Sequence, residues 1–148
     1  MCSSDLRVAE MSRTGSVVVV DTSAVMALLL QESDAERLLD VAARASSLYL
    51  STASRLELSL VAESVRHAIA PNEIEQLLLN LRVELVPLDQ DQMHWALQGW
   101  RRYGKGRHPA ALNLGDCFSY GLAKALQAPL LFKGDDFAAT ELESALGA

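Results

Sequence analysis

Val17–Val20 is an unbroken run of four β-branched residues, and it ends on Asp21-Thr22-Ser23. A run without polar alternation is the pattern of a strand buried on both faces, as in parallel sheets covered by helices. The polar residues after it are helix-capping types, and a helix is expected from there to about Gln31. The same grammar recurs down the chain. Ser33-Asp34 starts a second helix, with Leu38, Leu39 and Ala42 at helical spacing on one face. Ser47–Leu50 reads as a strand before a helix expected over Thr52–His67. Pro71, suited to a first helical turn, opens another helix to about Leu81. Val83–Leu88 is a third strand, with Pro87 implying an edge or a terminus. Asp89–Trp100 and Gly115–Gln127 are helical, and Pro129–Phe132 is a fourth strand. Strands alternating with helices predict an α/β fold, a short and mostly parallel sheet sandwiched between helical layers.

At 148 residues the chain makes one domain with a continuous core. Residues 17–148 are expected to form it, and residues 1–16 a flexible N-terminal extension. The extension has no apolar core of the kind a secretory signal carries. The longest apolar run, Ala24–Leu30, is far short of the roughly 20 residues a membrane helix needs. Two cysteines, Cys2 and Cys117, make no disulfide framework, so a cytoplasmic protein is expected.

Four acids stand where an apolar run gives way to a helix or turn: Asp21, Glu57, Asp116 and Asp135. Each alone is explained as a cap, a first-turn acid, a solvated helix residue or a turn residue. Ligands bind beyond the carboxyl ends of strands in open parallel sheets, and all four acids can converge there. Two carboxylates about 4 Å apart repel by roughly 4 kcal/mol at an effective dielectric near 20. A bound Mg²⁺ or Mn²⁺ turns that repulsion into coordination. The pattern points to metal-dependent phosphodiester hydrolysis.

The wording around these acids, VVVVDTSAVMALLLQE, STASRLELSLV and GRHPAALNLGDCFSYGLAKALQAPLLFKGDDF, resembles the PIN-domain nucleases. Within them it is similar to VapC, the toxin of VapBC toxin–antitoxin systems. The resemblance runs from Val17 onward and implies a PIN-like fold and Mg²⁺- or Mn²⁺-dependent cleavage of RNA. It places the metal-binding acids on Asp21, Glu57 and Asp116, with a fourth in the GDD turn, Asp135 or its neighbour Asp136. Asp21 and Asp116 are the expected direct ligands; Glu57 and Asp135 bind directly or through water. Ser23 matches the family's small hydroxyl residue and supports Asp21, and Asn113 is a weaker candidate near the site. Implied partners are a transfer or ribosomal RNA substrate, a VapB-type antitoxin and a second copy of the chain. The groove by Met26, Leu29, Leu30, Leu38 and Leu39 is the expected antitoxin surface, unless these residues face the core.

The net charge of −6 argues against a general nucleic-acid coat protein. Its distribution matters more. Arg101–His108 holds four of the thirteen basic residues and no acid, leaving nine basic against nineteen acidic residues elsewhere, a balance of −10. Arg101, Arg102, Lys105 and Arg107 are therefore the candidate RNA contacts, with a solvated basic turn as the bland reading. His67, His94 and His108 have no ligand-like spacing. Trp95, Trp100 and Cys117 read as packing residues. The rival functions are a catalytically silent PIN-like binding module, against which the complete acid set argues, and a housekeeping RNA-processing nuclease.

Overall fold

The computed structural model describes residues 15–147. The expected N-terminal extension, with Cys2, falls almost wholly outside the described residues. A four-stranded, all-parallel sheet has the order β3-β2-β1-β4, with β1 Val17–Val20, β2 Ser47–Ser51, β3 Val83–Val86 and β4 Leu130–Leu131. Between β1 and β2 lie α1 (Thr22–Leu29) and α2 (Ala35–Arg44). Between β2 and β3 lie α3 (Thr52–Ala62) and α4 (Pro71–Asn80), and between β3 and β4 lie α5 (Gln90–Tyr103) and α6 (Leu114–Leu126).

Past the exposed Val17, the valine run is buried on both faces. Val18 and Val20 join Leu48, Leu50 and Leu131 in a core closed by α1–α4. Val19 points the other way, into a second core with Leu112, Tyr120, Leu122 and Leu130 under α5 and α6. The result is the expected three-layer sandwich. Winding runs outward from β1 to β3, then jumps back across β1 to β4. The carboxyl ends of β1 and β4 therefore flank the topological switch point, where such sheets hold ligands. Among the described residues no helix is long and apolar enough to cross a membrane.

Several boundaries differ from expectation for local reasons. The helix begun at Thr52 ends at Ala62, not His67, because the Ser64 hydroxyl donates to the Val61 carbonyl at 2.7 Å and turns the chain. β3 stops at Val86, before Pro87, and is an edge strand. α5 continues past Trp100 to Tyr103, so Arg101 and Arg102 lie on a helix rather than in a loop. Met26, Leu38 and Leu39 are buried in the first core, so only Leu29 and Leu30 of the expected antitoxin surface keep substantial exposure.

Candidate active site

Asp21 follows β1 and caps α1, its Oδ2 accepting the Ser23 N–H at 3.0 Å. Its backbone N–H donates to the Leu131 carbonyl at 2.9 Å, which fixes it against the end of β4. Only 4% of its surface is exposed. Burial pushes its carboxyl pKa up, against hydrogen bonds from Ser119, Ser23 and Thr22 that hold it down.

Asp116 occupies the first turn of α6 in a reciprocal capping box. Its N–H donates to Asn113 Oδ1 at 2.9 Å and its Oδ2 accepts the Asn113 N–H at 3.0 Å. Desolvation raises its carboxyl to about 7, opposed by that backbone bond and reinforced by the charges of Asp21, Asp136 and Glu57. Glu57, on the second turn of α3, is raised first by burial and further by Asp21, while a Thr22 hydrogen bond lowers it. Charge coupling thus links Asp21, Glu57, Asp116 and Asp136 around one crevice.

Asp135 and Asp136 are exposed in the turn after β4. The Asp135 carbonyl accepts the Ala138 N–H, and Asp136 precedes the short 3₁₀ turn Phe137–Ala139. Lys133 moors this turn: its Nζ pairs with Glu32 at 2.9 Å and Asp34 at 3.2 Å, and its N–H donates to the Ser23 hydroxyl at 3.0 Å. Ser23 therefore ties the end of β4 to Asp21.

Two participants carry little signal in the sequence. Ser119, 1% exposed, donates its hydroxyl to Asp21 Oδ1. Its one mark is a polar residue on the otherwise apolar face of α6. Gly115 is the second, because a Cβ there would fall on the Glu57 carboxylate. The glycine clears the space in which α3 brings Glu57 against the start of α6. His108, by contrast, is a turn residue whose Nδ1 accepts the Ala110 N–H at 3.0 Å.

The donor set suits a hard divalent cation, being all carboxylate oxygen with no soft ligand. Among the described residues no three His, Cys, Asp or Glu side chains stand at metal-ligand spacing. Ser119→Ala should leave Asp21 short of a buried donor. A Tm loss equivalent to about 1–3 kcal/mol is expected, with activity reduced about 10–100-fold and partly restored by higher Mn²⁺. Calorimetry and a metal titration of activity would check this; unchanged metal dependence would make Ser119 a packing residue only.

Comparison with known proteins shows the family to which the chain belongs. The PIN domain family model matches residues 18–142, and the chain belongs to that family. VapC ribonuclease Mb0640 of Mycobacterium bovis is 48% identical over 126 residues, covering 84% of this chain and 95% of its own. Ribonuclease VapC of Mycolicibacterium smegmatis is 47% identical over 125 residues, 84% of this chain and 97% of its own. Within the PIN family the chain therefore groups with the VapC ribonucleases. In fold it is similar to the solved Mycobacterium tuberculosis VapC20, a toxin that cleaves the sarcin–ricin loop. The TM-score is 0.66 at 16% identity, covering 84% of this chain and 95% of that one. A toxin–antitoxin complex from Klebsiella pneumoniae matches at a TM-score of 0.62 and 17% identity, covering 84% and 92%.

Proposed function

We propose that this chain is a divalent-metal-dependent endoribonuclease and the toxin of a toxin–antitoxin pair. The observation that carries it is geometric: α6 donates the Ser119 hydroxyl to Asp21 and sets Gly115, beside Asp116, against the Glu57 carboxylate. Asp21 and Asp116 are the direct ligands in this reading, and Glu57 completes the set directly or through water. Asp136 is preferred to Asp135 as the fourth acid because its charge bears on Asp116. A bound Mg²⁺ or Mn²⁺ supplies an acidified water and positive charge against the phosphoryl oxygens. The chain's own part is orientation. Ser119 and Ser23 hold Asp21, the Asn113 capping box holds Asp116, and Gly115 with Thr22 seats Glu57.

Total cellular RNA incubated with the purified chain and Mg²⁺ or Mn²⁺ should yield discrete fragments, absent with EDTA and absent from Asp21→Asn. Their ends would distinguish a transfer RNA from a ribosomal RNA target. A folded, metal-supplied protein that cuts nothing in that pool would overturn the reading.

Under the same reading the cognate antitoxin is of the VapB type and the toxin forms a homodimer. Leu88, Met93, Leu97, Trp100 and Leu114 line an apolar cleft of about 360 Å³ between α5 and α6. Leu114 is 73% exposed and Met93 49%, and an apolar cluster of this kind marks an interface. Leu97→Asp is expected to turn a dimer into a monomer by light scattering. A wild type already monomeric at micromolar concentration would refute the assignment.

A further inference from the structure

The basic residues that adjoin in sequence separate in space. Arg107 folds back on Trp100, its guanidinium carbon 4.2 Å from the ring centroid. Arg101 and Arg102, in the last turn of α5, open onto a different cavity of about 390 Å³. Its wall is completed by Trp95, Gln98, Tyr120, Lys124 and Glu141.

Three cations thus face one acid, and that acid is engaged. Glu141 accepts the Tyr120 hydroxyl at 2.5 Å and pairs with Lys124 Nζ at 3.3 Å. Lys124 in turn lies 5.2 Å from the Trp95 ring, and Arg102 lies 5.1 Å from the Tyr103 ring. Arg101 has no carboxylate partner among the described residues. The helix dipoles favour Arg101 and Arg102 at the end of α5 and Lys124 at the end of α6, each on its own helix. They do not account for cations from two helices meeting aromatic walls in one concavity.

We propose that this cavity is an accessory RNA subsite, taking a phosphate and its nucleoside from the substrate strand outside the cleaved bond. The inference rests on the ribonuclease reading above. Arginine forks suit phosphate oxygens, and the volume is in the range of a small-ligand pocket. The acidic body repels a polyanion, so RNA needs a local positive concavity to be held. Asp116 and Lys124 are eight residues apart on α6, roughly 12 Å along its axis. Only a strand of several nucleotides spans both places.

The test uses the full chain in EDTA with a labelled single-stranded RNA long enough to span both places, titrated at several salt concentrations. Arg101→Gln/Arg102→Gln and, separately, Lys124→Gln should bind about tenfold more weakly, with the log–log salt slope flattened by about 0.7 for each phosphate no longer neutralised. With metal added, the loss in kcat/KM should be larger for that RNA than for a dinucleotide. Unchanged affinity and slope would overturn the subsite. So would an equal loss on the dinucleotide, which would assign the arginines to general attraction. AMP binding as tightly as the RNA would assign the cavity to a free nucleotide instead. A wild type that neither binds nor cuts RNA defeats the ribonuclease reading; one that cuts while the variants bind normally defeats the subsite alone.

Discussion

Asp116→Asn is expected to abolish RNA cleavage and, in the metal-free protein near pH 7, to raise the melting temperature. The two effects share a cause. Burial, with the charges of Asp21, Asp136 and Glu57, lifts the Asp116 carboxyl to about 7. A group whose folded pKa lies above its unfolded value contributes stability below the unfolded pKa and loses it as pH rises through the folded one. The wild-type apo protein therefore forfeits stability between about pH 4 and about pH 7. Asn carries no charge there and keeps an oxygen to accept the Asn113 N–H. Asp116 is only partly buried, so with solvent screening the gain is on the order of 1–2 kcal/mol. That corresponds to a rise of roughly 3–6 °C in a domain of this size.

Metal should reverse the ranking. Wild type gains about 2.7 kcal/mol at a ligand concentration of 100 Kd, and the variant, short of a ligand, gains less. The activity loss should exceed about 100-fold, since changes one shell further out already cost 10–100-fold. Calorimetry at pH 4 and pH 7, with and without Mn²⁺, reads all of this. An apo Tm lower than wild type at pH 7, or full cleavage, would remove Asp116 from the proposed site.

The layers of the fold were legible because each rests on local pattern. An all-valine strand and the later alternation of short apolar runs with helical spacing define a covered parallel sheet without reference to anything distant. The acids stood out for a related reason, since strand ends and helix starts are where open parallel sheets commonly hold ligands. What stayed hidden depends on contacts between remote segments. Ser119 meets Asp21 across 98 residues of sequence, and a serine amid apolar neighbours carries no mark of its partner. The basic run looked like one patch because nothing local announced that α5 continues to Tyr103. Three more helical residues swing Arg101 and Arg102 away from Arg107. The leucines of α2 read as a receiving surface for the mirror-image reason: spacing identifies a face, and only packing shows that it is turned inward.

Gly115→Ala is the sharpest test of how the site is assembled, because the fold should tolerate it while the activity should not. Gly115 lies early in α6, where alanine is the better helix former by about 0.5–1 kcal/mol. The obstacle to a Cβ is the Glu57 carboxylate, the far end of a flexible and half-buried side chain. Glu57 is expected to swing out rather than α6 to shift. Leaving its place relieves the burial and the Asp21 repulsion that hold its carboxyl pKa up, so apo stability should be unchanged or greater. Activity should fall by about 10–100-fold or more, as for other losses around a metal site. The decisive comparison is a double-mutant cycle with Glu57→Gln. If the methyl acts only by evicting Glu57, the double variant should be no worse than the worse single one, a plain failure of additivity. Additive losses would mean that the alanine damages the start of α6 directly, and full activity would mean that Glu57 does not work from the position it occupies beside Gly115.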